Sequence, residues 1–289
     1  MSRRGAGSTA DRRERCWPLV RRYGARPVGR ENGPVAYWHR TAAHTFTPTE
    51  HVGGAWDRAT QHVAPALGVL AHEVERDRDA RRSDGLVISR LSYDILGTIP
   101  IEPIDVEVEV LRPGRTIELV QATARHAGRA VVLLRAWLAQ PYDTAELVGT
   151  DLPSIPAADE MQPWDMAGLW PGGFIASIEV RRKELGPGRS MVWVRTAHEL
   201  VADEPVSRLA AVAGLVDVTN GIAVRSDPAK VSFPNLDLTA HFLHTPAEGW
   251  LGLDTTQSYG PGGIGVTSSK MHDENGPLGT IAQTLTVRP

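Results

Sequence analysis

Asp237 opens a run that otherwise reads as a β-strand. Within Leu236 to His244, period-two alternation puts Asp237, Thr239, His241 and Leu243 on one face and Leu236, Leu238, Ala240, Phe242 and His244 on the other. Aspartate is a poor strand former, so its place there is either an accident of a sheet edge or a requirement of chemistry. Gly53-Gly54 stand at the head of a helical pattern, where exposed N–H groups form a natural site for negative charge; the alternative is that glycine lets the helix fit closely inside a curved sheet. Asp217 and Asn220 sit near the C-terminal end of an apolar helical run, one turn apart, a placement that favours capping or facing water. Other chemistries lack their patterns. The ten histidines include no pair at a metal-ligand spacing such as HExxH, and no metal is expected. There is no GxSxG elbow, and neither glycine run, VGGAW or YGPGGIG, continues into the Lys and Ser or Thr of a P-loop.

The elements around these residues come in a repeated order. AYWHR reads as a short strand, and from Glu50 onward Val52, Trp56, Ala59, Val63, Ala66, Leu67, Leu70 and Val74 recur at helical spacing, predicting a long buried helix kinked at Pro65. Strand-like runs follow to Gln140. After a proline-rich stretch the order returns: two strands joined by ELGPGR, an apolar helix in VSRLAAVAGLVDVTNGIAV, then four strands. The turns ending in Gly128 and Gly276 suggest an internal repeat at an offset of 148 residues, the separation of those two glycines. In that register Gln283 falls on Arg135; with Thr245 laid on Thr98, Asp237 falls on Arg90. The expected organisation is a basic tail over 1–33, a first half over 34–140, a linker over 141–171 and a second half over 172–289. Trp164 and Trp170 should hold the linker against the body.

At 289 residues with 42% hydrophobic content, the chain can bury a sizeable core. Its single cysteine, Cys16, rules out an internal disulfide and fits a reducing compartment, so a cytoplasmic location is expected. No apolar run approaches the roughly 18 residues of a membrane helix. The tail holds nine arginines against Asp11, Glu14 and Glu31, about +6, leaving −9 for the remainder of a chain whose net charge is −3. It reads as a disordered extension rather than an arm for an anionic partner; neither a nucleic-acid nor a membrane partner is expected.

From about Pro34 to Pro289 the sequence resembles the double-hotdog acyl-CoA thioesterases of the thioesterase II type and their actinobacterial relatives. The resemblance rests on VGGAW, VEVLRPGRTIELVQATARHAGRAV, NLDLTAHFLHTP, DTTQS and AQT taken at their spacing. It implies an α+β tandem hotdog, each half a long apolar helix wrapped by a curved antiparallel sheet. It also implies hydrolysis of an acyl-CoA thioester without a cofactor, by a water held between Asp237 as general base, Ser258 and Gln283. Thr255 and Thr256 compete with Ser258 as the hydroxyl. Oxyanion donors would come from backbone N–H groups near Gly54 and Ala55, within the substrate-binding run Gly53, Gly54, Ala55 and Trp56. Self-association is a further implication. A non-catalytic acyl-ligand module and, with Asp237 and His241 as acid and base, a hotdog hydratase are the alternatives.

Overall fold

The structure, a computed structural model, describes residues 35–289; the arginine-rich tail expected over 1–33 lies outside the described residues. The first half supplies strands β1 (Ala36–Arg40), β2 (Thr45–Pro48), β3 (Val87–Ile95), β4 (Ile104–Arg112), β5 (Ile117–His126) and β6 (Arg129–Ala139). A two-residue strand, β7 (Gln162–Pro163), precedes β8 (Ile178–Glu184), β9 (Arg189–Thr196) and β10 (Glu199–Val201). The chain ends in β11 (Asp237–Phe242), β12 (Leu251–Tyr259), β13 (Ile264–Asp273) and β14 (Gly276–Thr286). Alternation drives these elements. In β4, for example, Ile104 and Val106 are buried while Asp105 and Glu107 face water.

All fourteen strands join one sheet, in the order β10-β1-β2-β4-β5-β6-β3-β11-β14-β13-β12-β9-β8-β7. Outward from the β3–β11 junction, β6, β5, β4, β2 and β1 on one side are matched by β14, β13, β12, β9 and β8 on the other. At the junction Ser92 pairs with Thr239, 147 residues away, their hydroxyl oxygens 2.9 Å apart. The same offset runs through the ladders: Tyr93 pairs with Leu134 as Ala240 pairs with Ile281. Strand pairing therefore sets Gln283 on Ala136, one residue from the Arg135 that the hairpin glycines suggest. The β5–β6 turn takes positive φ at both Ala127 (48°) and Gly128 (78°), the backbone of a tight hairpin.

Helix α1 (Val63–Arg81) is buried from Ala64 to Val74. It begins later than its apolar spacing predicts. Glu50–Val52 form a single 3-10 turn, and the chain then doubles back, with the Gly54 N–H donating to the Thr60 carbonyl at 2.7 Å and the His62 N–H to Val52 at 2.7 Å. The His62 ring caps the helix by accepting from the Ala64 N–H at 3.2 Å. Pro65 thus lies in the first turn, where its missing N–H removes no intrahelical bond, so the predicted cause of a kink is absent.

Helix α2 (Gly173–Ala176) precedes β8. The second apolar helix is broken into α3 (Arg208–Ala213), a 3-10 turn at Val216–Val218 and α4 (Thr219–Ile222). The break follows the crossing with α1, where a Cβ on Gly68 would meet the Gly214 Cα at 2.9 Å. Trp164 lies under the Arg182 guanidinium at 4.2 Å, and buried Trp170 donates its indole N–H to the Gly221 carbonyl at 2.9 Å. Both tryptophans pack on the body, as their composition suggests. No helix among the described residues is long and apolar enough to cross a membrane.

Candidate active site

A cleft of about 350 Å³ opens where the loop before α1 meets the turn between α3 and β11. Its walls are mostly apolar: Trp56, Ile95, Leu96, Ile99, Trp170 and Leu236 among them. Polar groups line it as well: Asp217, with Asn235 and His62 beside it, and Gln61, whose amide donates to the Pro100 carbonyl at 2.6 Å. An apolar groove with a few polar groups is the usual build of a small-molecule site.

Asp217 is the group that Asn235 and His62 flank. It sits in the 3-10 turn that the broken helix creates and is buried. Its Oδ1 accepts from Asn235 Nδ2 at 2.8 Å and from Gln283 Nε2 at 2.9 Å. Its Oδ2 takes no hydrogen bond among the described residues and faces His62 Nδ1 at 3.9 Å. Burial pushes this carboxyl up to about 7, against the opposing pull of the two amide donors. Burial also pushes His62 down to about 3, so the ring is neutral and the 3.9 Å approach is no ion pair. With Nδ1 accepting from Ala64, the neutral ring carries its proton on Nε2. A carboxyl poised near 7, with one oxygen held and the other free, can take a proton from water and return it.

The residues singled out in the sequence fall in different places. Gln283, on β14, is buried and donates to Asp217. Asp237 starts β11, but its side chain turns to the neighbouring strand and accepts from the Thr284 N–H at 2.6 Å, outside the cleft lining. Ser258 is exposed, and the inward residue of that segment is its neighbour Gln257. Of the two hydroxyl competitors, Thr255 is buried against Ser269 at 2.6 Å and Thr256 is half-buried; neither lines the cleft. His241 is exposed, and Asp237 and His241 are both absent from the cleft lining. Gly53 and Gly54 belong to the doubled-back loop; a Cβ on Gly54 would meet the backbone of Thr60, Gln61 and His62 at 3.0 Å, so close chain approach demands glycine there. The Gly54 N–H is spent on Thr60. Ala55 lines the cleft, and its N–H has no partner among the described residues. Trp56, 46% exposed, stands at the mouth with its ring edge-on to Trp170 at 4.9 Å and Phe233 at 5.2 Å.

Sequence reasoning missed His62 and Asn235, and read Asp217 and Asn220 as caps or solvent-facing groups. Both of the latter are buried. The available signal was a cluster, Asp217, Thr219 and Asn220 set in the otherwise apolar run LVDVTNGIAV. Among the described residues no three His, Cys, Asp or Glu side chains gather as a metal site.

Comparison with known proteins gives the family and the fold. A family model described as the acyl-CoA thioesterase N-terminal domain matches residues 52–139, and one described as the acyl-CoA thioesterase C-terminal domain matches residues 151–287. Comparison with curated proteins gives no significant match. Among solved structures, a putative thioesterase from Novosphingobium aromaticivorans superposes with a TM-score of 0.67 at 18% identity, covering 88% of this chain and 99% of that one. A putative thioesterase II from Thermobifida fusca gives 0.65 at 19% identity over 87% and 95%. A protein of unknown function with a hot dog fold from Alicyclobacillus acidocaldarius gives 0.67 at 15% identity over 86% and 94%. These likenesses show the fold, a double hotdog whose sheet does not close.

Proposed function

We propose, from the premise that this chain belongs to the acyl-CoA thioesterase family, that the Asp217 cleft is where it hydrolyses an acyl-CoA thioester to free acid and CoA. The observation that carries this reading is the buried carboxyl near pKa 7 that lines an apolar groove. A thioester carbonyl is already electrophilic, so hydrolysis asks for a positioned water, a base and a donor to the oxyanion, and no covalent intermediate.

In this reading the acyl chain lies along Ile95, Ile99, Trp170 and Leu236, with Trp56 as a wall at the mouth. Asp217 Oδ2 takes one proton from the attacking water, whose oxygen bonds to the thioester carbon. The carbonyl oxygen becomes an oxyanion beside the Ala55 N–H, near the start of α1, where the helix dipole favours negative charge. Collapse of the tetrahedral intermediate breaks the carbon–sulfur bond, and Asp217 returns the proton to the departing thiolate. Thiol and carboxyl are suitably matched for that return, since an ordinary thiol has a pKa of about 8.5. Asn235 and Gln283 keep Oδ1 occupied, so that Oδ2 does the proton transfer. Asp237, Ser258 and the glycine pair hold supporting positions here, in the β11–β14 pairing, on the open face of β12 and in the loop respectively.

The test is thiol release from a panel of acyl-CoA esters of increasing chain length. Turnover that rises with pH through about 7, as Asp217 ionises, is expected. No turnover with any ester would overturn the reading.

A further inference from the structure

Gln257 lies outside the cleft, yet its side-chain amide has all its hydrogen-bonding capacity engaged. Oε1 accepts from the Arg225 backbone N–H at 3.2 Å and from the Tyr259 hydroxyl at 2.8 Å. Nε2 donates to the Asn220 carbonyl at 3.0 Å and to Asn220 Oδ1 at 3.3 Å. A backbone N–H can only donate, so Arg225 fixes which end of the Gln257 amide is oxygen.

That polarity passes along a chain of amides. With its Oδ1 toward Gln257, Asn220 directs Nδ2 to the Phe233 carbonyl at 3.1 Å and to Asn235 Oδ1 at 3.5 Å. Asn235 in turn directs Nδ2 to the Asp237 carbonyl at 3.3 Å and to Asp217 Oδ1 at 2.8 Å. Backbone groups anchor each member: an N–H and a carbonyl at Gln257, and one carbonyl each at Asn220 and Asn235. The bond from Gln257 to the Asn220 carbonyl also pins α4, which follows directly on the turn that carries Asp217.

We infer that Gln257 is a positioning residue, which through Asn220 and Asn235 holds a donor on Asp217 Oδ1 and so reserves Oδ2 as the oxygen that exchanges a proton. The inference rests on Asp217 as the base, but the chain of amides can be tested without turnover. Each donor on Oδ1 stabilises the carboxylate and lowers its pKa. Loss of Gln257 removes both of its bonds to Asn220, to the carbonyl and to Oδ1, and leaves Asn220 and Asn235 held by their single carbonyl anchors; the looser chain weakens the donor on Oδ1 and raises the pKa. Among the described residues His62, at the start of α1, is the titratable side chain that faces Asp217; Asn235 from the loop before β11 and Gln283 from β14 are neutral.

The experiment compares the wild type with Gln257→Met, of similar volume, and Tyr259→Phe. The readouts are the 13C carboxyl titration of Asp217, assigned by its loss in Asp217→Asn, and the pH profile of kcat. In Gln257→Met both midpoints should move up by about half to one pH unit, part of the roughly one to two units that a whole hydrogen bond to a carboxylate is worth. Tyr259→Phe leaves the Arg225 N–H in place, so both midpoints should stay. Asn220→Ala cuts the chain one link nearer and should reproduce the upward shift if Gln257→Met does not fold. A wild-type titration midpoint in whichever of the two folds, even with a lowered Tm, would reduce Gln257 to a structural role and overturn the inference. A shifted carboxyl titration with an unshifted kcat profile would leave the amide chain standing and sink Asp217 as the base.

Discussion

The two halves of the sheet carry the same ladder and opposite chemistry. Across β4, β5 and β6 the inner row reads Val110, Val120, Ala136; 147 residues on, across β12, β13 and β14, it reads Gln257, Thr267, Gln283. The same offset sets Asp217 on Leu70 and Asn235 on Ile88, both apolar and buried. At these positions one half is apolar, while in the other Gln257 and Gln283 hydrogen-bond to Asn220 and Asp217 respectively. The apolar half still contributes, because the loop before α1 brings Ala55, Trp56 and His62 to the cleft. The cleft therefore draws on both halves, while in the polar row Thr267 Oγ1 and Gln283 Oε1 are buried without a hydrogen-bond partner among the described residues.

The largest effect expected from breaking the asymmetry is at its centre. Asp217→Asn keeps the shape of the side chain and removes the base, so kcat for thioester hydrolysis should fall by about 10²–10⁴-fold, the usual worth of general-base catalysis. The same change should stabilise the fold. A carboxyl raised from 3.8 to about 7 destabilises the native state progressively as pH rises between those values and by a constant amount above. The Tm of Asp217→Asn should therefore exceed that of the wild type at pH 8, with the gap closing toward pH 4.

Removing a single donor should do less. Gln283→Leu gives this position an apolar side chain, as in the first half, and leaves Asp217 with Asn235 alone on Oδ1. A loss of roughly ten-fold in kcat is expected, with the acid limb of the profile moved up by about one to two units. Smaller still for activity is the reverse exchange. Ala136→Gln puts an amide into a row with no partners and should cost about 1–3 kcal/mol of stability through overpacking and an unsatisfied polar group, with kcat within about two-fold of wild type. Denaturant unfolding and thiol release on the same preparation separate the two effects.

How much of this was legible in the sequence depends on the element. Period-two alternation and the turn glycines gave the strands and the duplication. Gln283 came forward through the family resemblance, and the hairpin glycines misplace its counterpart by one residue. Where polar residues run together alternation has nothing to grip, and Asp254 to Ser258 is such a run, so the inward side chain proved to be Gln257 and not Ser258. The start of α1 was hidden because Val52, Trp56 and Ala59 mimic helical spacing across a loop whose true signals are Gly53-Gly54 and the late Pro65. Asp217 was hidden by a tertiary cause. The second helix breaks where Gly214 meets Gly68, and that break sets Asp217 in a turn facing the cleft. No local pattern records a crossing with a segment so far away in sequence.

Two carboxylates competed for the role of base, and a single paired measurement separates them. Thiol release from a responsive acyl-CoA ester would be followed at pH 8 for Asp217→Asn and Asp237→Asn, with ester binding checked by the rise in Tm. Asp217→Asn should bind the ester and not turn it over, while Asp237→Asn, whose carboxyl holds the Thr284 N–H outside the cleft, should keep most of its activity. Turnover that survives in Asp217→Asn and vanishes in Asp237→Asn would contradict the account at its centre.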